Sequence, residues 1–237
     1  MLFDLRSRGR RHTVRVIYLF LALVMAGGLV LVGVGTGSSG GLLNAFTNGG
    51  SGGGGGSQYA DQVLHKAIKA TEKNPQSASN WSSLLVARLS AADSGSNYNS
   101  TTGVYSASGK KQLQQGAVAW QHYLKVRGNR PALGDSSLLG NASIAASVYQ
   151  KLGQWGGAAS AWEYAATTQP SGSSSALKPF ECLAFASYAG KDTNKGDLAA
   201  AQAVKLTPKL QRLTLSSTFK QVKSSASSAQ EALIQEC

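Results

Sequence analysis

Between Asn141 and Pro170 the chain reads NASIAASVYQKLGQWGGAASAWEYAATTQP, and this alternation of small and aromatic residues restricts the fold more than any other stretch. At helical spacing, Ala142, Ala145, Ala146 and Tyr149 fall at i, i+3, i+4 and i+7 and make one apolar face. Gly153 interrupts the pattern and Trp155 restarts it. Ala158, Trp162 and Ala165 then line the buried side of a second helix, which stops before Pro170 because proline cannot continue it. Alanines let two helix backbones approach, and the few large rings fill the gaps between them.

The same order of residue types recurs on either side. Trp81 and Leu84 follow Asn74-Pro75 on a helix expected over Ala78–Ala92, with Leu85 and Arg88 at its next inward positions. A polar insertion, 93–109, intervenes. It holds Asp93, Asn97 and Asn99, but without the spacing or closing Glu of a calcium loop, so it reads as plain loop. The partner helix resumes at Lys110 and carries Ala119, Tyr123 and Val126 before Pro131. Phe180, Leu183 and Ala184 open a third pair. After a turn expected to be long, AGKDTNKG, a short helix Asp197–Leu206 places Ala200 and Ala203 ahead of Pro208. Gln58–Lys73 reads as a lone helix in front. Leu213, Leu215, Phe219 and Val222 mark a final one, whose serines and lysines suit the polar outer face of a terminal cap.

On these residues the chain resembles the tetratricopeptide repeat (TPR) family, helix–turn–helix units of about 34 residues that stack into a solenoid. Ala146, Tyr149, Gly153, Ala158, Trp162, Ala165 and Pro170 stand at positions of the family pattern, while Ala142 and Ala145 replace its Trp and Leu. The resemblance implies an all-α domain over 58–237, with about three helical hairpins and flanking helices. It also implies a groove, lined by the first helix of each hairpin, that holds a peptide or helix. Carried over residue by residue, the groove positions are Ser82, Val86 and Leu89, then Ser143, Ser147, Gln150 and Lys151, then Phe185 and Tyr188. For each of them, ordinary solvent exposure or packing against the insertion is the competing reading.

The N-terminal part has a different character. Val14–Val34, VRVIYLFLALVMAGGLVLVGV, carries Arg15 as its one charge. Some 20 apolar residues at a rise of about 1.5 Å cross roughly 30 Å of hydrocarbon. A cleavable signal peptide would have an apolar run of about 7–15 residues and a small-residue cleavage site, and no such site follows here. The expectation is therefore one uncleaved transmembrane helix, 14–34, in the plasma membrane. Arg6, Arg8, Arg10, Arg11 and Arg15 hold the tail 1–13 in the cytoplasm and leave the bulk of the chain extracytoplasmic. Residues 35–57 read as a flexible Gly/Ser linker with a reach of roughly 25 Å. Its apolar island, Leu42, Leu43, Ala45 and Phe46, either rests on lipid headgroups or docks elsewhere. Met1–Arg6, the span, Gly40–Phe46 and Ala119–Val126 together resemble a group of actinobacterial single-pass membrane-anchored TPR proteins of unassigned function. That second resemblance bears on architecture alone.

Catalytic constellations do not emerge from the sequence. His12, His65 and His122 are its only histidines and fall on separate segments, and H-E-x-x-H, G-x-S-x-G and G-x-x-x-x-G-K are absent. The chain is expected to be no enzyme and to use no metal and no cofactor. Cys182 and Cys237 are too few for a disulfide scaffold. Outside a membrane they could tie the last helix to the third pair, the alternative being a buried free Cys182 and a frayed Cys237. The net charge is +12; five N-terminal arginines against Asp4 contribute +4, leaving +8 on the remainder. A domain across the membrane meets no nucleic acid, but anionic lipid or cell-wall polymer would feel that field within about 8 Å. These features converge on a membrane-anchored TPR-like adaptor that binds a protein or peptide partner in the membrane or envelope. An electrostatic binder of lipid or wall polymer is the alternative, and the oligomeric state is left open.

Overall fold

Capping side chains set where most of the helices begin. The computed structural model describes residues 55–128, 131–170 and 172–237, all within one unit, Gly52–Cys237. The tail 1–13, the expected span 14–34 and the apolar island Leu42–Phe46 lie outside the described residues. Helix α1 (Gly55–Lys73) starts three residues before the expected boundary at Gln58. Ser77 accepts from the amide of Asn80 and opens α2 (Ala78–Ala92). Ser106 accepts from Gly109 and opens α3 (Ala107–Arg127), and Asp135 accepts from Leu138 and opens α4 (Ser136–Lys151). Then come α5 (Trp155–Thr167), α6 (Leu177–Ala189) and α7 (Thr193–Leu206), the last capped by Asp192. Two more helices close the chain: α8 (Arg212–Lys223) and α9 (Ala226–Glu236), the latter capped by Ser225. Each capping side chain satisfies an amide that the helix cannot.

The described fold is all-α, apart from a two-stranded hairpin in the insertion. Each helix packs on the next in sequence. Two departures from this serial order matter: α2 also touches α4, and α6 is covered by α8 and α9 as well as by α5 and α7. Among the described residues no helix is long and apolar enough to cross a membrane.

The α4–α5 and α6–α7 turns are built alike. Gln154 N donates to Tyr149 O (2.8 Å) and Gly153 N to Gln150 O (2.9 Å); Asp192 N donates to Ser187 O (2.9 Å) and Lys191 N to Tyr188 O (3.0 Å). Both turns thus show the paired bonds of a Schellman motif, with Gly153 at φ 68° and Lys191 at φ 63° in the left-handed position. The turn expected to run from Ala189 to Gly196 is correspondingly short, and α7 begins at Thr193, not Asp197. Gly196, expected at the end of that turn, is buried inside α7 against the Tyr188 ring, where a Cβ would come within 2.4 Å. Gly157 in α5 does the same for Tyr149, with an approach of 2.6 Å. In each hairpin a tyrosine of the first helix lies flat on a glycine of the second.

The insertion is more ordered than a plain loop. A 3-10 turn, Gly95–Asn97, leads into strands β1 (Tyr98–Asn99) and β2 (Val104–Tyr105), which pair antiparallel. Its acids and amides do not converge. Asn97 Nδ2 donates to Ala91 O (2.8 Å), and Asn99 Oδ1 accepts from the amides of Thr101 and Thr102. The C-terminal cap also departs from expectation. Phe219 and Val222 are buried and Leu215 is half-buried, but Leu213 faces solvent because α8 turns its Phe219 side inward. Helix α9, in a serine- and alanine-rich segment with weak apolar rhythm, buries only Ala229 and Leu233 completely.

Candidate partner-binding surface

The first helices of the first two hairpins are tied together by a part-buried polar pair. Ser82 Oγ donates to Asn141 Oδ1 (2.7 Å), and Asn141 Nδ2 donates to Ser137 O (2.9 Å). Both sides of the Asn141 amide are therefore satisfied inside the protein. Ser143 Oγ donates to Leu139 O of its own helix (3.0 Å). Val86, Leu89, Ser147 and Gln150 are half-buried, and Leu89 packs on the core. Nε2 of Gln150 is shielded from solvent without an acceptor, as is Nε of Arg88. The Arg88 guanidinium also donates to Gln112 Oε1 of α3 (2.6 Å), and burial holds it below the usual arginine range.

Lys151 is not a free cation of the groove. Its Nζ donates to the Tyr105 hydroxyl (2.6 Å) and to Asp93 Oδ1 (3.2 Å), while Tyr105 in turn donates to Asp93. The ammonium also lies 5.3 Å from the Tyr105 ring centroid and 5.9 Å from that of Tyr98. Burial raises the Tyr105 phenol, and accepting Asp93 beside it raises it further, so the phenol stays protonated as a donor. Lys151 therefore clamps the insertion hairpin to the end of α4. Gly109 makes the other contact of the hairpin possible, since a Cβ there would meet Asn97 O at 2.3 Å.

In the third hairpin the two carried-over positions are corrected. Phe185 and Tyr188 are buried at 3% and 5% exposure. Phe185 packs against Phe219 of α8, ring centroids 5.5 Å apart, and α9 lies along α6. A disulfide joins Cys182 to Cys237, Cα atoms 5.8 Å apart. Lys178 adds ion pairs to Glu236 (3.0 Å) and, within α6, to Glu181 (3.7 Å). Burial raises the Glu181 carboxyl; Lys178 opposes the rise and Glu236 reinforces it. The face that the family pattern would leave for a partner is thus filled by the chain's own C-terminal helices.

A cleft of about 400 Å³ opens between α7 and α8, floored by Ala200, Val204 and Phe219. At its polar end Tyr188 donates to Asp197 (2.9 Å), and Lys223 Nζ reaches both carboxylate oxygens of Asp197 (2.7 and 2.9 Å). The Lys223 and Tyr188 hydrogen bonds hold the Asp197 carboxyl below its ordinary range. Burial, then Asp197, raises the Tyr188 phenol. The ionised Asp197 carboxylate, paired with Lys223 and accepting from a protonated phenol, makes this end of the cleft polar.

Both described histidines, His65 and His122, are exposed, and His122 stacks on Trp81 with centroids 4.3 Å apart. Among the described residues no group of three or more His, Cys, Asp or Glu is placed to hold a metal ion. Comparison with family models, curated proteins and solved structures finds no match to this chain. Sequence reasoning missed Asn141, Asp93 and Tyr105. For Asn141 the signal was available: it stands at i, i+4 with Ala145 on the face read as buried, where a polar side chain requires a partner. Tyr105 and Asp93 carried no such signal, because their partner lies on another hairpin.

Proposed function

We propose that the chain is a membrane-anchored, extracytoplasmic adaptor with a TPR-like helical domain, which holds a segment of an envelope or membrane protein and performs no catalysis. The anchor is the apolar run 14–34, with the basic tail in the cytoplasm. The observation that carries the reading is the half-buried row Val86, Leu89, Ser143 and Ser147 on α2 and α4, two helices held in fixed relation by the Ser82–Asn141 pair. Such a row offers apolar contact and small polar groups to an extended or helical segment without requiring the fold to open. The insertion hairpin, clamped by Lys151, borders it. The proposed groove is therefore shorter than the resemblance implied, comprising two hairpins and not three.

The test places a photoreactive side chain at Val86 and, separately, at Ser147 in cells. Both positions are expected to crosslink one and the same protein, with loss of the adduct in a Ser143→Arg background and no adduct from Ser160 on α5. Failure of Val86 and Ser147 to share any partner would remove the adaptor reading.

A further inference from the structure

The segment between Asp197 and Glu231 carries charge of one sign next to the most exposed leucines. No Asp or Glu falls between Asp197 and Glu231, whereas Lys205, Lys209, Arg212, Lys220 and Lys223 all do. Two of these cations are spent internally. Lys223 pairs with Asp197, and Arg212 donates to Thr207 O (2.9 Å) and Lys205 O (3.0 Å), closing the end of α7. Lys205, Lys209 and Lys220 are exposed and have no ion pair among the described residues. Between them lie Leu210 at 97% and Leu213 at 85% exposure, the highest of the exposed large apolar residues described.

The arrangement on α8 is periodic. Leu213, Ser217 and Lys220 are spaced i, i+4 and i+7 and are all exposed, opposite the buried Phe219 and Val222. The outward face therefore presents leucine, a small hydroxyl and lysine in line. We propose that this face, with Lys205 and Lys209 beside it, is a docking surface for an anionic bilayer. Its lysines meet the headgroups, and Leu210 and Leu213 enter the boundary between headgroup and acyl chain. Charge complementarity selects the occupant, because the uncompensated lysines call for a surface dense in negative charge. The two protruding leucines need an apolar phase but form no concave seat for a defined side chain, and a fluid interface supplies that without shape matching. The inference does not depend on the partner-binding row, which lies on α2 and α4, and takes from the proposed function only the anchor at 14–34 that seats the chain in vesicles.

The experiment uses the full chain carrying a single nitroxide at Ser217→Cys, the native cysteines being joined to each other. The chain is reconstituted in phosphatidylcholine vesicles with or without about one-third phosphatidylglycerol. In the anionic vesicles the label is expected to gain access to oxygen and lose access to a water-soluble nickel chelate, while a label at Ser160→Cys stays aqueous. The response is expected to disappear in high salt, as screening shortens the field. Each lysine near such a surface contributes about fivefold in partitioning, so Lys205→Gln, Lys209→Gln and Lys220→Gln together should weaken the docked state on the order of a hundredfold. Leu213→Ser, a change at an exposed position, should lower immersion while leaving the helical signal intact. Equal accessibility in neutral and anionic vesicles overturns the proposal. A response that persists in high salt does so too, as does one elicited by soluble polyphosphate in neutral vesicles and not by phosphatidylglycerol, which would assign the face to an anionic polymer.

Discussion

Lys191 occupies a position that glycine fills in the neighbouring hairpin. Its φ of 63° is the only positive value among the described non-glycine residues, and it falls where the turn after α6 reverses the chain. A left-handed conformation costs an L-residue about 1–2 kcal/mol, partly offset because glycine loses more freedom on folding. Lys191→Gly should therefore raise stability by about 1 kcal/mol or less, read as a higher midpoint in urea unfolding. The glycines packed against tyrosine rings behave oppositely. Gly157→Ala and Gly196→Ala would each drive a methyl group into a tyrosine ring, and each should cost about 1–3 kcal/mol. Shaving the ring, as in Tyr188→Leu with Gly196→Ala, should restore part of the loss. That rescue would distinguish a steric clash from an effect on the helix backbone.

At the level of elements, α9 is the helix least able to hold itself. Its buried residues are small except for Leu233, and its place on α6 depends on the Cys182–Cys237 bond and the Lys178–Glu236 pair. Exposed ion pairs contribute little, about 0–1 kcal/mol. Closing a loop of sequence separation 55 limits the unfolded chain far more, by about 4 kcal/mol in the chain-entropy account. Cys182→Ala with Cys237→Ala should lower global stability by up to about that amount. Amide exchange should quicken in α9 well before it quickens in α4, whose buried face is continuous from Leu138 to Tyr149. If α9 kept its protection without the bond, packing alone would be holding it. The insertion hairpin has the opposite arrangement, being polar and short yet fixed from outside by Lys151.

Across the whole molecule, the serial packing of helices followed from local pattern and the exceptions did not. The Asn141–Pro170 pair was legible because apolar residues at i, i+3 and i+4 and a terminal proline are short-range features, and the helices formed where those features placed them. The α6–α7 turn is shorter than the stretch AGKDTNKG suggested, since α7 already begins at Thr193. The residue that makes the turn is a lysine, and one glycine is there for close packing. Expecting Phe185 and Tyr188 to face a partner failed for a different reason. The burial of α6 is decided by chain that arrives long after it, through Phe219 and Cys237. Lys151 finds its partners Asp93 and Tyr105 across sequence separations of 58 and 46, and no periodicity reports on such a distance. What the sequence determined by itself was most of the helices, though not the last one, Ala226–Glu236, together with the small-against-aromatic contacts inside the Asn141–Pro170 pair, since these are settled within a few turns of chain. Only the tertiary structure decided which faces are covered, which cations are neutralised and which leucines are left in water. Those outcomes depend on where distant segments come to rest, and burial is a property of the neighbours and not of the residue.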